Sequence, residues 1–171
     1  MIDPVTLTCN EPELTVPIIT LLAYDSAILI DENGDIHSQA DPPNQLIVSE
    51  EGTYTVIVTN TNGCTSEEVL EVELDNDLVD FEVSSTLLDC NNTTSDIILE
   101  VIQGYDSATI LDPSDVPVTT IDGITQAAQL TAPGTYTMQV VGINGCSAFK
   151  EFTVDIAVSY THLTLPTICS V

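Results

Sequence analysis

Residues 52–64 read GTYTVIVTNTNGC, and residues 134–146 read GTYTMQVVGINGC. In the first, Tyr54, Val56 and Val58 alternate onto one face. In the second, Tyr136, Met138 and Val140 do the same, which is the period of a half-buried strand. The opposite face is freer, since Ile57 is replaced by Gln139. Asn62-Gly63 and Asn144-Gly145 follow, a strong hairpin signal because both residue types tolerate positive φ. A second alternation then begins. Leu70, Val72 and Leu74 are expected inward, with Glu71 and Glu73 outward. Phe152, Val154 and Ile156 are expected inward in the second stretch, with Thr153 and Asp155 outward. Carboxylates on one face and aliphatics on the other describe an antiparallel strand with one side in water.

Working outward, Cys64 and Cys146 stand 82 positions apart. Tyr24-Asp25-Ser26-Ala27 and Tyr105-Asp106-Ser107-Ala108 stand 81 apart, as do Cys9 and Cys90. One residue is therefore gained in the second copy between these blocks, and so many anchors in one order signal a duplication. Turn signals fall at Asn33-Gly34, Pro42-Pro43, Asp112-Pro113 and Asp122-Gly123, and no helical periodicity of useful length occurs. The prediction is an all-β chain of two tandem antiparallel β-sandwich domains, residues 1–77 and 78–157.

The 171 residues carry 27 acidic side chains against one basic one, Lys150, for a net charge of −26. Such a surface repels phosphate backbones and anionic lipid, so nucleic-acid and membrane-surface partners are disfavoured. It suits solubility in a saline or extracellular setting, where salt screens the self-repulsion. Hydrophobic content of 43% is enough for a core. No apolar run is long enough for a membrane span. An export signal, if the protein has one, is expected upstream of Met1.

The last fourteen residues, VSYTHLTLPTICSV, contain no charge. Back-translated, they resemble read-through of a transposon-type sequencing-library adapter. Residues 158–171 are therefore set aside as an adapter-derived tail, with His162 and Cys169, and the protein is expected to continue beyond Ala157.

The GTYT…NGC blocks resemble the closing hairpin of immunoglobulin-like and PKD-like repeats in large bacterial surface proteins. The likeness is strongest to gliding-motility adhesins and other secreted proteins of the Bacteroidetes. It implies two immunoglobulin-like domains in a secreted or cell-surface protein. The chain departs from the PKD pattern in having no Trp, and Ala27 to Gly34 is at best a worn counterpart of the usual mid-domain turn.

Four cysteines allow three disulfide connectivities. Repetition selects Cys9–Cys64 and Cys90–Cys146, each tying an early strand to the start of the last one. Each such bridge is worth roughly 4 kcal/mol in the chain-entropy view. Four buried thiols are the alternative. Zinc is disfavoured, since no Cys-x-x-Cys occurs and His37 has no counterpart in the second copy.

No catalytic residues are assigned. Paired-carboxylate hydrolysis needs one carboxyl with a raised pKa across a cleft, and the strand pattern sends the carboxylates to solvent. His37 falls in a loop of one copy only. Two calcium sites are conceivable. Asp31, Asn33 and Asp35 imitate alternating oxygen ligands, and Asp75, Asp77 and Asp80 could act at the junction of the copies. Ser26 and Ser107 sit in a short motif resembling an O-glycosylation acceptor of Bacteroidetes. Aromatics that could stack on sugar are limited to Tyr24, Tyr105, Phe81 and Phe149. The expected function is a non-catalytic stalk or adhesive segment whose partners are neighbouring repeats of the same chain and extracellular protein or polysaccharide. The alternative is an accessory carbohydrate- or protein-binding module of a secreted enzyme.

Overall fold

Short runs of alternating β-branched and polar residues, punctuated by Asx and Gly, leave the backbone few choices but strands closed by tight turns. A computed structural model describes residues 4–16, 18, 23–42, 45–102, 104–121, 123 and 126–157, and the adapter-like tail lies outside them. The chain divides into two units, residues 1–76 and 77–171.

Unit 1 contains β1 (Val5–Thr8), β2 (Leu14–Val16), β3 (Tyr24–Ile30), β4 (Ile36–Ala40), β5 (Leu46–Val48), β6 (Gly52–Asn60) and β7 (Thr65–Asp75). Five of them form a sheet in the order β1-β7-β6-β3-β4, and β2 pairs with β5 in a second layer. Leu7, Leu29, Tyr54, Val56 and Leu70 from the large sheet pack on Val16, Leu46 and Val48 from the small one. Each fully buried aliphatic contributes roughly 1.5–3 kcal/mol against leaving it in water.

Unit 2 contains β8 (Phe81–Ser85), β9 (Ser95–Val101), β10 (Tyr105–Leu111), β11 (Pro117–Thr120), β12 (Ala127–Leu130), β13 (Gly134–Gly142) and β14 (Ser147–Val154). Its sheets are ordered β11-β10-β13-β14 and β12-β9-β8. Ile110, Met138, Val140, Phe152 and Val154 face Phe81, Ile97, Leu99 and Leu130 across the core. Both units are immunoglobulin-like sandwiches, and the described chain is all-β.

One pairing is parallel. Leu7 registers with Leu74, and Leu88 bridges Ile156 in the same sense. Seven strands running alternately up and down leave the first and last pointing the same way, so as neighbours they can only pair parallel.

The repeated motifs are accounted for locally. Gly52 and Gly134 adopt φ of 152° and 155°, and a Cβ there would lie 3.5 and 3.7 Å from the rings of Tyr54 and Tyr136. Those tyrosine hydroxyls donate to the carbonyls of Glu50 (3.1 Å) and Ala132 (3.0 Å), four residues upstream in each case. Asp25 and Asp106 occupy register shifts in β3 and β10, so the YDSA block marks a β-bulge made the same way twice.

Two expectations are corrected. Leu74 and Ile156, expected inward, are 43% and 37% exposed at strand ends, where less of the core lies opposite. In the hairpins only Gly63 and Gly145 take positive φ, at 80° and 81°. The Gly63 amide donates to Asn60 O (2.9 Å) and the Asn60 amide to Cys64 O (2.9 Å). That is a type I turn closed by a left-handed glycine, a longer loop than the two-residue one a bare Asn-Gly suggests.

Candidate functional site

The cysteines are the residues that structure rearranges most. Cys9 follows Thr8, which registers with Asp75 at the end of β7, while Cys64 precedes Thr65 at its start. Ten residues of extended chain separate these levels, roughly 30 Å at about 3.3 Å per residue. Disulfides need Cα atoms within about 7 Å. The Cys9–Cys64 bridge is therefore corrected: Cys64 is a free, exposed thiol, and Cys9 is disulfide-bonded elsewhere.

The same geometry removes Cys90–Cys146. Cys146 adjoins the start of β14, whereas Cys90 follows Leu88 at the level of Ile156, beyond the strand's other end. Both are nevertheless half-cystines. The turn holding Cys146 is braced within unit 2: Asn144 Nδ2 donates to Asp77 O at 2.9 Å and Asn144 Oδ1 accepts from the Cys146 amide at 3.1 Å. Cβ-free Gly142 lets Val79 approach, since a Cβ there would meet its Cγ2 at 2.9 Å. Equal spacing of the cysteines suggested pairing within a repeat. Only the parallel placement of the first strand shows that the two positions lie at opposite ends.

The proposed calcium loop is a turn satisfied from within. Asp31 Oδ1 accepts the amides of Asn33 (2.8 Å) and Asp35 (2.9 Å), and Oδ2 lies 3.2 Å from His37 Nε2. The Asp35 amide, foremost among these bonds, holds the Asp31 carboxyl below its usual range. Asp112 repeats the pattern, accepting from Ser114 and Val116. Asn33 presents its amide to this turn, so the three residues serve each other. Asp75 ends β7, and Asp77 and Asp80 lie in the segment before β8. Among the described residues no group of three or more His, Cys, Asp or Glu side chains is placed to hold a metal.

His37, expected in a loop, is in β4, edge-on to the Tyr54 ring at 5.2 Å. Ser107 is exposed and Ser26 half-buried, each just past its bulge. Of the candidate stacking aromatics Phe81 is buried, Tyr24 and Tyr105 are half-buried, and Phe149 stands out in solvent. Lys150, the one Lys or Arg of the sequence, is structural. Lys150 Nζ donates to Phe81 O (3.0 Å) and Glu82 Oε1 (2.7 Å) and lies 5.8 Å from the Phe81 ring centroid, tying β14 to β8. A lone Lys within an acidic strand was the available signal, and its partner was 68 residues away.

The outer faces of the two large sheets differ. In unit 1 Val69, Thr55, Ile30 and Ile36 form one cross-strand row, with Val69 and Ile36 more than half exposed. The matching row in unit 2 is Glu151, Thr137, Leu111 and Pro117.

Immunoglobulin-type sandwich proteins are the class this architecture defines. Murine CEACAM1b is similar over 90% of this chain and 96% of its own, with 11% identity and a TM-score of 0.42. Fibronectin(III)-like modules of Clostridium thermocellum CbhA match over 95% of each chain with 8% identity and a TM-score of 0.39. A 1.5-MDa bacterial ice-binding adhesin matches over 90% of this chain and 62% of the solved one, with 13% identity and a TM-score of 0.46. At these values the likeness extends no further than general architecture. No family model and no curated protein matches the sequence. No helix among the described residues is long and apolar enough to cross a membrane.

Proposed function

We propose that this chain is a non-catalytic stalk or adhesive segment of a longer secreted or cell-surface bacterial protein. The observation that carries this reading is the parallel ladder between β1 and β7, from Val5–Val72 to Thr8–Asp75. Tension applied through the ends of unit 1 pulls these two strands in opposite directions along their length. The ladder's hydrogen bonds are then loaded together in shear, and cannot be unzipped one by one. A repeat built this way suits bearing load between a cell and its target. Half-cystines at Cys9, Cys90 and Cys146 support an oxidising compartment. The acidic coat keeps such a chain soluble. Single-molecule force spectroscopy tests the reading on the intact chain. Unit 1 should unfold at several times the force needed once Val5→Pro disrupts the β1–β7 ladder. Equal forces for the two chains refute it.

A second reading, an accessory module that binds extracellular protein, is favoured by the apolar row Val69, Thr55, Ile30 and Ile36 on unit 1 alone. Binding of immobilised matrix proteins that is lost in Val69→Glu would favour it. Binding of polysaccharide with unchanged affinity in that variant would move the site to Phe149.

A further inference from the structure

We propose that unit 1 carries a strand-binding site along the open edge of β2, and that its occupant is a strand of the β8 type supplied by the polypeptide that leads into β1. The inference rests on the reading of the chain as part of a longer protein, though not on its bearing load. The two units share one strand plan, so each can be compared with the other. The pairs Leu14–Val48 and Val16–Leu46 correspond to Ser95–Leu130 and Ile97–Ala128. That makes β2 the counterpart of the first half of β9, at an offset of 81. In unit 2, β9 has a neighbour on each edge, β12 on one and β8 on the other. Among the described residues of unit 1, β2 pairs with β5 alone. An unpaired sheet edge is a template for an incoming strand.

The cores differ at the same place. Val79, just ahead of β8, and Phe81, its first residue, are buried in one cluster with Leu99 and Val140. Carried back by the offset of 81, the positions of Val79 and Phe81 fall ahead of Met1. Ile18 and Val58, the counterparts of Leu99 and Val140, are only half-buried against the unit 1 core. Ser66, the counterpart of buried Ala148, is exposed. An apolar floor is therefore laid down in both units, and only unit 2 covers it fully.

What β8 presents specifies the incoming strand. It is extended, it carries apolar side chains at the alternate positions of Val79 and Phe81, and it runs straight into β1. In unit 2, β8 leads in the same way to Leu88, which bridges Ile156 as Leu7 pairs with Leu74. Two differences in sequence show what holds it. The Leu99 amide donates to Gln126 O beside β12, so the Ile98 amide faces β8. Pro17 stands at the Ile98 position and has no amide proton to offer. Glu68 stands where Lys150 fastens β8. Burial of the two apolar side chains is therefore the main attraction, along an edge that backbone bonds alone would hold weakly.

Lengthening the full chain tests the proposal. One variant carries a copy of residues 77–81, Asp-Leu-Val-Asp-Phe, ahead of Met1. A control carries the same copy with Val79→Ser and Phe81→Ser in the copy alone. With the apolar copy, the melting transition of unit 1 should rise by roughly 5 °C or more. Hydrogen exchange at the amides of Leu14–Val16 and Val58 should slow, with unit 2 unmoved. The control should melt and exchange as the parent does. An apolar copy that leaves unit 1 as in the parent, or two copies that act alike, overturns the proposal. Stabilisation seen only in a dimer overturns it as well. A chain stabilised by the apolar copy that unfolds at the same force as its Val5→Pro variant rejects the load-bearing role and leaves the strand site standing.

Discussion

Replacing Lys150 with Met keeps the aliphatic stem of the side chain and removes the only cation of the chain. Three interactions are lost together. The charge-assisted bond to Phe81 O at 3.0 Å contributes about 1 kcal/mol once its partial exposure is allowed for. The Glu82 pair is short at 2.7 Å, but with Glu82 74% exposed it adds only about 0.5 kcal/mol. The ammonium near the Phe81 ring adds about 0.5 kcal/mol at most. The expected cost to unit 2 is therefore about 2 kcal/mol, or roughly 8–16 °C in the melting transition of a domain this size. Glu82→Gln should cost about a quarter of that, because the carbonyl bond survives it. Calorimetry gives the total, and hydrogen exchange read by mass spectrometry locates it. Protection should fall in β8 and β14 while unit 1 is unchanged. A Lys150→Met chain within 0.5 kcal/mol of the parent, or one losing protection equally in both units, refutes the claim that this cation holds the two sheets of unit 2 together.

Further outcomes follow from the same contacts. Tyr136→Phe, which deletes the bond to Ala132 O, should cost about 1 kcal/mol by urea denaturation, with the slope m unchanged. For Tyr54, burial foremost, with the charges of Glu50 and Asp31, pushes the phenol up. Its raised folded value means the stability it confers is full below about pH 10 and is lost as pH rises through that value, a loss that Tyr54→Phe should abolish in alkaline melts. For Asp31 the sign is reversed. Its depressed carboxyl contributes above the ordinary range near pH 4 and loses that contribution as pH falls through the folded value. The gap between the parent chain and Asp31→Ala should thus close only in acid, and a gap unchanged at pH 2 would contradict the turn geometry. Gly142→Ala forces a Cβ to within 2.9 Å of Val79 and 2.8 Å of the Asn144 oxygen, and should cost about 1–3 kcal/mol, visible as a lower denaturation midpoint for unit 2.

Strand identity was legible because alternation is a local property. Tyr54, Val56, Met138, Val140, Leu70 and Val154 are buried as their period requires. The GTYT and YDSA blocks announced their repetition but not its cause. A glycine against a tyrosine ring and a bulged aspartate become visible only with coordinates. The Asp31 loop could be read as a ligand set because a chain of oxygens looks alike whether it points at a cation or at its own amides. In the structure Asp31 Oδ1 accepts the amides of Asn33 and Asp35.

By itself the sequence determined the all-β class, the duplication, the acidic surface and the faces of the principal strands, since each follows from composition or from spacing along the chain. Tertiary structure decided which ends meet. The partner of a strand, of Lys150 or of a cysteine depends on distances between residues far apart in sequence. Spacing alone makes the GTYT…NGC hairpin end in one half of an internal staple. Its cysteine lies at the opposite end of the last strand from Cys9, because the first and last of seven alternating strands must run in parallel.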